Sequence, residues 1–190
     1  MMRTRRWLLG AGGAWAGITA AGAFARPVRG AHRAAGLAGE AGTKRIALKN
    51  LHTGEALDLV FYRGNDYVPE SLQAIQVLLR DFRNDEQHVM DPRLMDYLYD
   101  VAQSVGVDPA FSVISGYRSP HTNEQLREHS NGVARHSLHL EGRAIDVRLA
   151  DIDCAALAAG ALELTRGGVG YYRQSDFVHL DTGSFRTWKG

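Results

Sequence analysis

Two residue types that bind metals and carry protons stand seven positions apart in Ser137-Leu138-His139-Leu140-Glu141-Gly142-Arg143-Ala144-Ile145-Asp146-Val147. Gly142, between His139 and Asp146, lets the chain turn freely. The alternation of Ala144, Asp146 and Arg148 with Ile145, Val147 and Leu149 predicts a strand, with Asp146 on one face and the aliphatic side chains on the other. A histidine on a loop and an aspartate on the following strand can meet at one point. This mixture of nitrogen and oxygen suits zinc, which is catalytic when three protein ligands leave a fourth position open. The third candidate ligand is His179, in Asp176-Phe177-Val178-His179-Leu180-Asp181. Asp176, three residues earlier, is the candidate general base, because a carboxylate beside a metal-activated water can take its proton. Asp181 is either an acceptor that orients a ligand imidazole or a surface group.

Arg118 lies in Gly116-Tyr117-Arg118-Ser119-Pro120, directly after a short apolar run. An arginine leaving a strand end can bind a carbonyl or carboxylate oxygen and stabilise a developing oxyanion. Tyr117, Ser137 and His136 are candidate substrate contacts beside these groups. His136 and His139 would share a face in a helix. The flanking Gly132 and Gly142 favour a loop or strand, which places them on opposite sides and makes His136 a rim residue. His32, His52 and His88 read as solvated, in a tether, a turn and a charged linker, while His121 and His129 flank a polar stretch that a cleft could use.

The chain of 190 residues suits one domain with a tail, and its 45% hydrophobic content is enough for a core. With 22 basic and 21 acidic residues and no basic run, it carries no footprint for nucleic acid. Cys154 is the single cysteine, which excludes an internal disulfide. Residues 1–25 read as an export leader: Thr4-Arg5-Arg6-Trp7-Leu8-Leu9 has the twin-arginine pattern, a Gly/Ala-rich apolar stretch follows, and Ala23-Phe24-Ala25 offers a cleavage site. The stretch is too short and too glycine-rich for a lasting membrane span. Residues 26–43, rich in Ala and Gly, read as a flexible tether, and residues 44–190 as the folded domain.

Within that domain Arg45–Leu51 and Ala56–Tyr62 alternate about a His52-Thr53-Gly54-Glu55 turn and predict a hairpin. Pro69 opens a helix with Leu72, Ile75, Leu79 and Phe82 inward. Asp91-Pro92 opens a second, with Leu94, Leu98, Val101 and Val105 inward and Gly106 as its stop. Phe111–Ser115 is a strand, and His121–Ser130 a helical turn running into a loop. Asp153 caps a helix from Cys154, Gly167-Gly168 ends it, and Val169–Tyr172 with Phe177–Asp181 close a hairpin. The order is that of an α+β fold, a small mostly antiparallel sheet with helices grouped on it.

Ser-Gly-Tyr-Arg-Ser, then Ser-x-His-x2-Gly-x-Ala-x-Asp-Val, then Asp-x2-His resembles the zinc peptidases of the D-Ala-D-Ala carboxypeptidase and dipeptidase group. That group includes VanX- and VanY-type enzymes and shares the hedgehog/DD-peptidase fold. Leu51-His52-Thr53-Gly54-Glu55, Leu79-Arg80-Asp81-Phe82-Arg83, Gly168-Val169-Gly170-Tyr171-Tyr172 and Phe177-Val178-His179-Leu180-Asp181-Thr182-Gly183 are similar to the YcbK-like murein endopeptidases of Gram-negative envelopes. The resemblance runs from about Lys44 to the C-terminus. It implies Zn2+ held by His139, Asp146 and His179, Asp176 as catalytic base, and Arg118 polarising the scissile carbonyl. It implies an enzyme that hydrolyses peptidoglycan cross-links; with the export leader the expected location is the periplasm, and a monomer is expected although the sequence leaves the oligomeric state open. Two alternatives stay open at this point: a carboxypeptidase acting on stem peptides, and a metal-stabilised module that binds murein without cutting it.

Overall fold

The computed structural model describes residues 42–129 and 133–190. The expected leader, and all of the tether but Gly42 and Thr43, lie outside them. The described residues build one eight-stranded sheet with helices against it. The strands are β1 (Lys44–Asn50), β2 (Ala56–Arg63), β3 (Asp66–Tyr67), β4 (Ala110–Ser115), β5 (Ala144–Leu149), β6 (Gly168–Tyr172), β7 (Phe177–Asp181) and β8 (Arg186–Lys189). Their spatial order is β3-β2-β1-β4-β5-β7-β6-β8. The sheet is mixed: β1 with β4 and β6 with β8 run parallel, and the other neighbours antiparallel. It is also larger than the sequence implied, because β3 and β8 are too short to show a period.

Helices α1 (Pro69–Leu78), α2 (Pro92–Ser104) and α4 (Cys154–Glu163) pack on the sheet. Ile46, Phe61, Val113, Ile145, Val147, Val178 and Leu180 meet Leu94, Leu98, Val101, Leu157 and Ala161 in one core. Buried aliphatic side chains of this size contribute roughly 1.5–3 kcal/mol each, so this layer fixes the sheet on which the polar face is displayed. The expected caps are in place: Asp91 accepts from the Arg93 N–H and Asp153 from the Ala156 N–H.

Three local departures from the sequence pattern have physical causes. Helix α1 stops at Leu78, so Phe82 is not on its inner stripe but stacks on His52 at 3.9 Å. The buried Asp81 carboxylate accepts the N–H groups of Arg83 and Ser119, and those bonds compete with a continued helix. Pro120–His129 is a full ten-residue helix, α3, rather than one turn. Its composition is polar and hides the period, although Ser119 accepting from the Thr122 N–H, followed by proline, is a helix start. The segment around His139 is a 3-10 turn, Leu138–Glu141, entered from Ser137, whose hydroxyl accepts the His139 N–H at 3.4 Å.

Gly142 ends that turn at φ +64°, and a Cβ there would lie 2.2 Å from the Val89 carbonyl oxygen. Gly54 has φ +76° with open space around it. Both positions therefore share the cost of a left-handed backbone, but only Gly142 adds a clash. Gly142→Ala is expected to cost about 1–3 kcal/mol more than Gly54→Ala in denaturant unfolding, and equal losses would show that the close approach to Val89 is not needed.

Candidate metal centre

The centre is built on one cross-strand row. Asp146 of β5 is paired with His179 of β7, His179 with Gly170 of β6, and Gly170 with Trp188 of β8. Side chains directly paired across a sheet share a face, so this register sets the carboxylate, the imidazole and the indole side by side. His139 reaches them from the 3-10 turn. His139 Nε2, His179 Nδ1 and an Asp146 carboxylate oxygen lie within 4.8 Å of one another, and all three residues are buried. The separations are 3.2 Å for His139 Nε2 to His179 Nδ1, 2.9 Å for His179 Nδ1 to Asp146 Oδ1, and 3.3 Å for His139 Nε2 to Asp146 Oδ1.

The outer nitrogens show what the inner ones face. His139 Nδ1 lies 2.7 Å from the Gly116 carbonyl oxygen, which can only accept, so the hydrogen-bond network assigns the proton to Nδ1. His179 Nε2 lies 3.0 Å from Asp181 Oδ2, which assigns its proton outward as well. The neutral imidazoles then direct lone pairs at each other and at the Asp146 carboxylate. With both rings neutral, three acceptors converge with no donor between them, an arrangement that either a proton on His179 Nδ1 or a metal cation relieves. The donor set therefore fits a metal such as zinc, with outer-shell partners that fix each ring.

The proton equilibria express the same conflict. Burial drives His139 below the ordinary histidine range. His179 moves the other way, to about 8: burial opposes its charge, but hydrogen bonds to Asp146 and Asp181 outweigh that penalty. Asp146, despite its burial, is held well below the usual carboxylate range by His139 and His179. Asp181 is also held low: against burial it is stabilised by His179, by Arg186 Nη1 and Nη2 at 3.0 and 2.6 Å, and by the N–H groups of Gly168 and Gly183. Of its two readings in the sequence, the surface one does not hold: Asp181 is buried and accepts from the His179 imidazole.

The triad opens into a cleft of about 560 Å³ whose lining includes Arg118, His136, Ser137, Tyr172, Phe177 and Trp188. Arg118 donates from Nη1 to Asn123 Oδ1 at 3.3 Å, while its Nε is buried without a partner among the described residues. Burial lowers its pKa. A partly desolvated guanidinium with a spare donor is well suited to an anionic or carbonyl oxygen. Of the candidates named from sequence, the structure thus gathers His139, Asp146, His179, Arg118, His136 and Ser137.

Two candidates stand elsewhere. Tyr117 is buried, stacked on His88 at 4.9 Å with its hydroxyl on Glu86 at 3.0 Å, and it does not line the cleft. Asp176 sits in the β6–β7 turn with φ +52°, its side chain two-thirds exposed and 3.2 Å from Arg148 Nε. The buried Cys154 thiol is pushed up to about 11 by burial and by the nearby Asp176 carboxylate. A spacing of three before a strand histidine takes a side chain to the strand's end and off the histidine's face, so the carboxylate does not meet the triad. His88 is exposed, as expected, with one face stacked on Tyr117, and His129 bonds the Gln125 carbonyl in its own helix rather than lining the cleft.

Sequence reasoning missed Tyr172, Phe177, Trp188 and Arg186. Trp188 comes from β8, which no period revealed. Gly170 is the signal that was present: a Cβ there would lie 2.4 Å from the indole, so the glycine marks where another group lies flat on the strand.

A family model described as "Peptidoglycan L,D-endopeptidase MepK" matches residues 38–188. A protein of Haemophilus influenzae named "Probable peptidoglycan L,D-endopeptidase MepK" is 41% identical over 146 residues, 76% of this chain and 78% of the relative. The "Peptidoglycan L,D-endopeptidase MepK" of Escherichia coli K12 is 41% identical over 143 residues, 75% of this chain and 79% of the relative, and the Shigella flexneri protein of that name matches equally. No solved structure matches the chain. With the motifs, the converging acceptors and a match that spans the folded domain, the chain belongs to the MepK peptidoglycan L,D-endopeptidase family.

Proposed function

We propose that this protein is a zinc-dependent peptidoglycan endopeptidase, acting outside the cytoplasm on L,D peptide bonds of cross-linked stem peptides. The observation that carries this reading is the meeting of three buried acceptors, His139 Nε2, His179 Nδ1 and Asp146 Oδ1, at the floor of a cleft that also holds Arg118. The L,D class rests on the names of the relatives. The leader-like residues 1–25 support export by the twin-arginine route, and among the described residues no helix is long and apolar enough to cross a membrane.

His139, Asp146 and His179 would hold the metal. When bound, zinc supplies Lewis-acid polarisation of a carbonyl and a nucleophilic water at neutral pH. Arg118 binds the scissile carbonyl oxygen or a neighbouring carboxylate and stabilises the charge that grows there. Ser137 and His136 contact the peptide at the rim, and Phe177 and Trp188 form an apolar wall for its aliphatic parts. Asp181 and the Gly116 carbonyl keep both imidazoles in the tautomer that binds metal. Asp176, paired with Arg148, supports the β6–β7 turn.

The reading is tested by incubating the purified protein with murein and resolving the products by chromatography and mass spectrometry. Cross-linked dimers should disappear, and chelator or His139→Ala should prevent it. Retention of dimers by the zinc-loaded protein would favour a binding module, and release of terminal residues alone a carboxypeptidase. Asp176→Ala should keep activity within about threefold, whereas a general base would cost about 10²-fold or more.

Zinc binding should also report the His179 proton. With its pKa near 8, His179 is protonated below that value in the metal-free protein and must lose the proton to bind metal. Calorimetry in buffers of different ionisation enthalpy should show about one proton released at pH 7 and little at pH 9, with affinity rising about tenfold per unit up to pH 8. A release independent of pH would contradict the raised value.

A further inference from the structure

Tyr172 lines the cleft but has no part in the arrangement described so far. It lies two residue pairs along from the metal row: Tyr172 faces Phe177 across β6 and β7, as Gly170 faces His179. By strand alternation its side chain stands on the same face as His179. The Tyr172 ring stacks on Phe177 with centroids 4.5 Å apart and planes within 16°. Its hydroxyl oxygen accepts the Trp188 indole N–H at 2.9 Å. An indole nitrogen can only donate, so this bond occupies a lone pair and leaves the phenolic hydrogen unused. Among the described residues no acceptor takes that hydrogen. Tyr172 and Arg118 line the same cleft.

We propose that Tyr172 is a further catalytic residue, donating its phenolic hydrogen to the oxygen of the scissile carbonyl or to the tetrahedral oxyanion that follows, beside Arg118. The role is a hydrogen bond alone: no bond to hydrogen breaks and the phenol stays neutral. It rests on the endopeptidase reading, because it presupposes an acyl centre in the cleft. A donor of this kind is useful when it is held in place before the charge develops. Tyr172 is so held. Phe177 fixes the plane of its ring and Trp188 fixes the direction of its hydroxyl. Trp188 is itself seated on the bare backbone of Gly170, 5.1 Å from the His179 ring and under the Arg186 guanidinium at 5.2 Å. Trp188 is then a positioning residue that acts through Tyr172, and the short strand β8 exists in the site to deliver it.

The test uses the full-length, zinc-loaded protein with purified cross-linked muropeptide dimers, comparing wild type, Tyr172→Phe, Trp188→Phe and the double variant. Zinc content and thermal midpoint are read for each. Tyr172→Phe removes one oxygen and should lower kcat by about 10²-fold with KM and zinc content unchanged, the mark of an interaction made in the transition state. Trp188→Phe keeps an aromatic ring without the N–H and should lower kcat less. The double variant should be no worse than Tyr172→Phe, because the indole acts through the phenol. A Tyr172→Phe enzyme with kcat within twofold of wild type overturns the proposal, as does a loss confined to KM or explained by lost zinc. Wild type that binds zinc and cleaves nothing overturns the endopeptidase reading, and this proposal with it; cleavage by wild type with an unaffected variant overturns the proposal alone.

Discussion

The pairing of Asp146 with His179 across β5 and β7 is the constraint on which the rest of the site depends. Side chains alternate along a strand, so a slip of one residue would put Val147 or Ile145 opposite His179 and turn the carboxylate into the helical layer. The register is held by what lies on the other face. Ile145 opposite Leu180 and Val147 opposite Val178 are buried among the side chains of α2 and α4, and a slip would expose them while burying a charge. The apolar core thus sets the position of the polar row without touching it.

That row contains a deliberate electrostatic conflict. A buried carboxylate beside two neutral imidazoles whose protons point outward faces only lone pairs, and in the metal-free protein a second proton on His179 relieves that conflict. The surrounding structure maintains it through groups with no freedom to adapt. The Gly116 carbonyl belongs to the backbone at the end of β4, and Asp181 is locked by Arg186 and two backbone N–H groups. Rotating either ring to relieve the inner repulsion would strand a buried partner outside, at about 1–3 kcal/mol for each lost bond. The centre is therefore preorganised for a cation, and the cost of that preorganisation is spread over β4, β7 and β8.

Much of this was legible in the chain. His139, Asp146 and His179 stand out because metal ligands are few in type, and the alternation of β5 with Asp146 on one face follows from a period of two. The hairpin of β1 and β2, the capped starts of α2 and α4 and the α+β class follow from the same patterns. The two misplaced candidates share one cause. For Asp176 and Tyr117, proximity in sequence stood in for proximity in space, and a turn with positive φ or a stacking partner outside the cleft sends the side chain elsewhere. The short strand β8 and the polar helix α3 escaped because neither has an apolar stripe long enough to read.

The sequence by itself determined which chemistry was possible: the ligand types, the strand that presents Asp146, the cationic Arg118 and the apolar segments that form the core. These are properties of residue type and of short-range periodicity, which every local window of the chain carries. The tertiary structure alone decided who meets whom. Strands β5, β7, β6 and β8 lie side by side although helix α4 separates the first of them from the others in sequence, and the order in space differs from the order in the chain. Trp188 beside His179, Arg186 on Asp181 and Tyr172 facing the cleft all follow from that strand order and register. Neither is fixed by local pattern, because both arise from burying the whole aliphatic face of the sheet at once.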